Sequence, residues 1–237
     1  AVAYFQEGVA GAKAEAEKLG AELVALDPQA DANRQVTQVE DCIARKASAI
    51  IVDPIESGSL GGAIEQAGKA GIPIATLDTK VDSPYVNVLI GIPPVEASRE
   101  FGEYAAGYIA GAMGGKASIG VMLASTELQL ARRDGFVKAL SALGKVDVVE
   151  ADGRNILEQA TAAAENLLTA NPSINVIYAT GEPALQGAVA AAESQGRDIA
   201  FFAWDIPGDY GKLIESGKIV AHLQQNPGLG GETAGRL

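Results

Sequence analysis

The stretch AIIVDPIESGSLGGAIEQAGKAGIPIATLD, Ala49 to Asp78, passes from one short apolar run through a helix-length segment to a second apolar run. AIIV and IPIATL are aliphatic without polar alternation, the pattern of strands covered on both faces. The intervening segment has the length of a crossover helix, and Gly71 stands where a left-handed residue closes one. Strand, helix and strand at this interval predict a parallel pair joined by a right-handed crossover. Each apolar run ends on an acid, Asp53 and Asp78.

The same alternation extends along the chain. Further apolar runs are AELVAL (21–26), ASIGVML (117–123), VDVVEA (146–151), INVIYA (174–179), IAFFAW (199–204) and IVAHL (219–223). Helical spacing fills segments such as VAGAKAEAEKLG and VTQVEDCIARKA, and Gly20 and Gly196 close helices as Gly71 does. The expected fold class is α/β, with two doubly wound parallel-sheet lobes, a ligand cleft between them and a multi-strand hinge. The alternation falters at VNVLIGIPP, where Pro93-Pro94 suits an element leaving a sheet. This places one crossing near Gly91–Pro94. The turn-rich QQNPGLGG (224–231) supplies another. The expected lobes are 1–92 with 227–237, and 93–226. No internal sequence repeat is evident.

Composition narrows the function. The chain has 237 residues, 48% of them hydrophobic, and a net charge of -12, so nucleic acid and anionic membrane are poor partners. No apolar run approaches the ~20 residues of a membrane span. The one histidine, His222, rules out a histidine metal cluster and reads as a satisfied sheet residue. Cys42, the one cysteine, reads as a buried spectator in a helix. There is no phosphate loop, no dinucleotide fingerprint and no calcium-loop pattern. Gly61 and Gly62 read as close-packing positions on a helix. These readings point to a binder with no metal, nucleotide or other cofactor.

The strand ends carry acids: Asp27, Asp53, Asp78, Asp152, Glu182 and Asp205. Ligands of open parallel sheets bind beyond the carboxyl ends of the strands. Acceptor-only groups there suit hydroxyls, amines or a metal and disfavour a phosphate or carboxylate ligand. Asp27 and Asp53 precede prolines and read as turn or cap residues. Asp152 and Glu182 stand near helix starts, where the helix dipole favours an anion. Asp78 and Asp205 follow long apolar strands and are the candidates for ligand contact.

Several blocks together resemble the periplasmic sugar-binding proteins of the ribose and galactose type. They are the segment from Gly11 to Pro54, AGIPIATLDTK, ARRDGF, LLTANPSINVIYATGEPALQGAVAA and FFAWDIPGDYGKLIESGKIVAHLQQNP, in order over essentially the whole chain. The resemblance implies two lobes that close on a monosaccharide or small polyol and deliver it to the permease of an ABC importer or to a chemoreceptor. It implies a monomer in the periplasm, its secretion signal removed. Tyr4 and Phe5 match the paired aromatics that face the sugar ring. Asp78, Arg132, Asp205 and Gln225 match the family's polar ligand residues, and Arg132 would pair with Asp205 as the cleft shuts. As a ligand group, Asp205 is expected to affect affinity far more than stability. Thr79 stands where the ribose-type proteins carry an arginine, Gly181 where they carry an asparagine, Gly153 where they carry an aromatic, and Val2 in place of a polar residue. Thr79, Asp152 and Glu182 are the further ligand-binding candidates, with Asp152 and Glu182 placed to replace the missing contacts. Family members also begin with a strand before the aromatics and continue beyond GETAGRL, so the chain reads as trimmed at both ends. The alternatives are the ligand-sensing domain of a lactose-repressor-type transcription regulator and a sugar-acting enzyme on an α/β scaffold.

Overall fold

Eight strands, all parallel, form among the described residues, 3–144 and 146–236 of the computed structural model, and they divide into two sheets. Val2 lies outside those residues. Contacts divide the chain into two units, Ala1–Ile92 with Asn226–Leu237, and Pro93–Gln225.

The first unit runs α1 (Ala3–Lys18), α2 (Ala32–Ala44), β1 (Ile50–Val52), α3 (Ser57–Lys69), β2 (Ile74–Leu77) and β3 (Val88–Ile90), with the chain's last helix, α9 (Pro227–Gly235). Its sheet has the order β1-β2-β3. Asp31 caps α2 by accepting from the N–H groups of Asn33 and Arg34. Gly20 and Gly71 take the left-handed conformation that closes a helix. Leu60, Ile64 and Ile74 are fully buried between α3 and the sheet. Helices α1 and α9 meet backbone to backbone: a methyl group on Gly11 would overlap the Gly228 carbonyl, and one on Gly231 the Gly8 carbonyl.

Three expectations fail in this unit. AELVAL joins no ladder and leaves Val24 61% exposed, because a strand exists only through bonds to a neighbour and no described strand pairs with it. The eighth strand is instead β3, from the segment before the first crossing. Gly61 and Gly62 are not packing positions, since a methyl group on either would meet open space. Cys42 is half-buried on α2, and burial raises its thiol pKa.

The second unit runs α4 (Pro94–Ala112), β4 (Ser118–Leu123), α5 (Glu127–Ala139), β5 (Asp147–Asp152), α6 (Leu157–Ala170), β6 (Val176–Ala179), α7 (Glu182–Ser194), β7 (Ala200–Trp204), α8 (Gly211–Glu215) and β8 (Ile219–Leu223). The sheet order β5-β4-β6-β7-β8 reverses direction at β4, as a doubly wound sheet does. One face packs Phe101, Phe136, Tyr178 and Phe202, with the Phe136 and Tyr178 rings stacked at 3.8 Å. The other packs Leu168, Ile177 and Leu185 beneath α6 and α7. The β6-α7-β7 unit repeats the β1-α3-β2 plan of the first unit, a repeat that the sequence does not display.

Arg197 closes the far end of this unit. Its guanidinium donates to the carbonyls of Leu168 (3.1 Å), Pro172 (2.9 Å) and Ile174 (2.6 Å), the first of them in the last turn of α6. Arg197→Ala strands all three acceptors and is expected to cost about 1.5–3 kcal/mol, lowering the melting temperature by roughly 3–10 °C. Arg197→Lys should recover only part of this in a thermal melt, because an ammonium lacks the planar fork.

Candidate functional site

Each unit carries a set of polar side chains at the carboxyl ends of its strands. In the first, Asp78 follows β2 with φ 53° and donates its N–H to the Ile90 carbonyl of β3 at 2.9 Å. Aspartate tolerates this left-handed conformation, and its use lifts the carboxylate off the strand direction. Tyr4, in the first turn of α1, donates its hydroxyl to Asp78 Oδ2 at 2.6 Å. Phe5 is exposed and meets the Tyr4 ring edge-on, with centroids 5.4 Å apart. Gly91 backs the acid so closely that a methyl group there would strike the Asp78 backbone. Thr79 is buried, and its hydroxyl, like that of Thr76 on β2, has no hydrogen-bond partner among the described residues.

The second unit builds its set around the reversal between β4 and β6. Gln129, on the first turn of α5, accepts from the Ala124 N–H (2.9 Å) and the Thr180 hydroxyl (2.6 Å), fastening the ends of those two strands together. One turn further along α5, Arg132 donates Nη1 to the Thr180 carbonyl at 2.9 Å and Nη2 to Gln225 Oε1. Asp205 follows β7 with φ 51°, and its N–H donates to the Leu223 carbonyl at 2.8 Å, the arrangement of Asp78 repeated. Asp205 Oδ1 accepts the Gln225 N–H at 2.9 Å, while Oδ2 lies 3.6 Å from Arg132 Nη1. Arg132 is 4% exposed and Asp205 6%, so both charges are nearly dry and each requires the other. The pair is therefore made within this unit, without the closing of a cleft. Arg132 Nε remains buried with no hydrogen-bond partner among the described residues.

The residues read from the sequence thus fall into two groups, Tyr4, Phe5 and Asp78 in one unit and Arg132, Asp205 and Gln225 in the other. Asp152 joins neither: its Oδ1 accepts the Arg154 N–H at 2.7 Å and its Oδ2 the Ser125 hydroxyl at 2.7 Å, a turn at the end of an edge strand. Glu182 is the first residue of α7 after the Gly181 cap, the dipole-favoured position. An aromatic side chain in place of Gly153 is excluded, since even a methyl group would overlap Ala160. A side chain at Gly181 would meet Gln129 only at ordinary contact distance. Gln129, Thr180 and Trp204 were missed. Trp204 is the only one that carried a signal, standing next to Asp205 at the end of its strand.

Fixed carboxylates and a fixed guanidinium can accept from and donate to hydroxyls without moving. Among the described residues no group of three or more His, Cys, Asp or Glu side chains could hold a metal ion, and no helix is long and apolar enough to cross a membrane. Tyr4→Phe removes a hydrogen bond to a charged acceptor and is expected to destabilise the first unit by about 1.5 kcal/mol, read in a denaturant titration. An unchanged midpoint would mean that the bond contributes nothing net.

The family model described as "Periplasmic binding protein domain" matches residues 2–237. The ribose import binding protein of Bacillus subtilis is 28% identical over 225 residues, covering 94% of this chain and 72% of that protein. An ABC transporter solute-binding protein from Mycobacterium smegmatis, solved with bound glycerol, superposes with a TM-score of 0.89 at 25% identity, over 99% of this chain and 82% of that one. A periplasmic solute-binding protein from Actinobacillus succinogenes, solved with bound D-allose, gives 0.81 at 26% identity, over 99% and 85%.

Proposed function

Because the chain belongs to the periplasmic binding protein domain family, we propose that it is the solute-binding component of an ABC importer and captures a monosaccharide or small polyol in the periplasm. The observation that carries the reading is the Arg132–Asp205–Gln225 cluster, a nearly dry charged pair beyond the carboxyl ends of β6, β7 and β8. A polyhydroxy ligand matches it, because each hydroxyl both donates and accepts. An anionic ligand would face Asp78 and Asp205 with like charge. Tyr4 and Phe5 offer ring faces to sugar C–H groups, and Asp78 and Asp205 accept from hydroxyls. The compounds that these relatives are named for or hold, ribose, D-allose and glycerol, are all polyhydroxy compounds. The membrane permease is the partner to which the ligand passes, and the protein acts by binding rather than by turnover.

Capture proceeds by rotation of the units about the two crossings, at residues 91–94 and 225–228, since hinges are a few residues that absorb backbone change. The test is calorimetry against a panel of D-ribose, D-allose, myo-inositol and glycerol, with mass spectrometry of any compound released on denaturation. Binding of a panel member, with a smaller radius of gyration in X-ray scattering at saturation, is the expected result. A co-purifying anion, or no polyhydroxy compound by either measurement, would overturn the reading.

A further inference from the structure

Trp204 stands beside the charged pair and is the chain's one tryptophan. It ends β7, is 1% exposed, and its ring centroid lies 4.0 Å from the central carbon of the Arg132 guanidinium. The indole Nε1–H donates to Ser98 Oγ at 3.1 Å. Ser98, fully buried on α4, meets the Tyr178 hydroxyl at 3.3 Å, and that hydroxyl donates to the Arg132 carbonyl at 3.3 Å. Burial raises the Tyr178 pKa far above its ordinary value, so the phenol keeps its proton and stays a donor. A chain of bonds therefore leaves the indole, passes through Ser98 and Tyr178, and returns to the main chain of the residue whose side chain the indole covers.

Core filling alone does not require this arrangement. Phenylalanine would fill much of the same space without an N–H to satisfy, as Phe202 does on the same strand. What the indole adds is a wide aromatic face locked in one plane under a dry cation, where cation–π attraction is strongest. Arg132 also has a buried Nε with no hydrogen-bond partner among the described residues, so its position is not set by hydrogen bonds at every nitrogen.

We propose that Trp204 is a positioning residue for ligand binding: fastened by Ser98, it holds the Arg132 guanidinium flat against Asp205 and Gln225. The proposal rests on the assignment of Arg132 to the ligand site. Its first consequence needs no ligand. In nitrogen-15 spectra the Arg132 Nε–H resonance, identified by its loss in Arg132→Lys, should be displaced by the indole ring current. In Trp204→Leu it should move back among the other arginine signals, with circular dichroism showing the chain still folded. A resonance unmoved in Trp204→Leu overturns the proposal.

The second consequence is read with the tightest binder of the panel. Trp204→Leu should weaken it by about tenfold to thirtyfold, and Trp204→Phe, which keeps a ring face, by about threefold. In an Arg132→Lys background Trp204→Leu should add less than about twofold, because the two residues act as one unit. An equal loss in both backgrounds marks a general structural role and overturns the proposal. Arg132→Lys with wild-type affinity removes the site assignment, and the proposal with it. A weakened Arg132→Lys beside an unaffected Trp204→Leu overturns the positioning role alone.

Discussion

Arg132→Ala is expected to weaken binding of the tightest panel sugar by about a hundredfold or more and to lower the melting temperature by roughly 6–15 °C. The substitution strands the Asp205 carboxylate, 6% exposed, and frees the Thr180 carbonyl and the Gln225 amide that the guanidinium holds. Removing one partner of a buried pair costs about 3–5 kcal/mol, because the other charge is left uncompensated. Asp205→Ala should act in the same direction and also releases the Gln225 N–H. Asp205→Asn can keep that bond through its amide oxygen, so it should lose affinity with a smaller loss of stability. Calorimetry and thermal melts on the three variants check this. Unchanged affinity in Arg132→Ala would remove the cluster from the site.

The second large effect has two signs. Gly231→Ala puts a methyl group into the Gly8 carbonyl and must push α9 off α1, whereas the same change at its neighbour Gly230 meets open space. Overpacking against backbone, which cannot rotate away, costs about 1–3 kcal/mol and occasionally more. In a helix, alanine is about 0.8–1 kcal/mol better than glycine. Gly231→Ala should therefore lower the denaturant midpoint and Gly230→Ala should raise it. Two shifts of the same sign would mean that the helices do not cross where the glycines place them.

The sequence was informative wherever the physics is local. Continuous apolar runs mark seven of the eight strands among the described residues, and the acids at their ends stand out because a carboxylate after IPIATL or AFFAW demands an explanation. AELVAL misled because strand formation depends on a partner distant in sequence, which composition cannot supply. Gly61-Gly62 and Gly8-Gly11 look alike as letters, yet only the second pair faces another helix. The sequence alone presents Asp205 as a ligand group with little bearing on stability. The bond from the Gln225 N–H gives it a structural role as well. The stack of Arg132 on Trp204 joins residues 72 positions apart, beyond the reach of any periodicity.

On the proposed assignment of Asp78 and Asp205 to the ligand site, their positive φ also bears on how the chain could change its ligand. One nucleotide separates an aspartate codon from those of asparagine, glycine, histidine, tyrosine, alanine, valine and glutamate. Only the first three readily hold a left-handed backbone, and valine is the worst placed to do so. Backbone geometry thus screens variants before ligand chemistry does. Asparagine is the smallest change that passes, turning an acceptor-only group into one that can also donate. A lineage drifting toward a new sugar would most easily begin with an amide at one of these two strand ends.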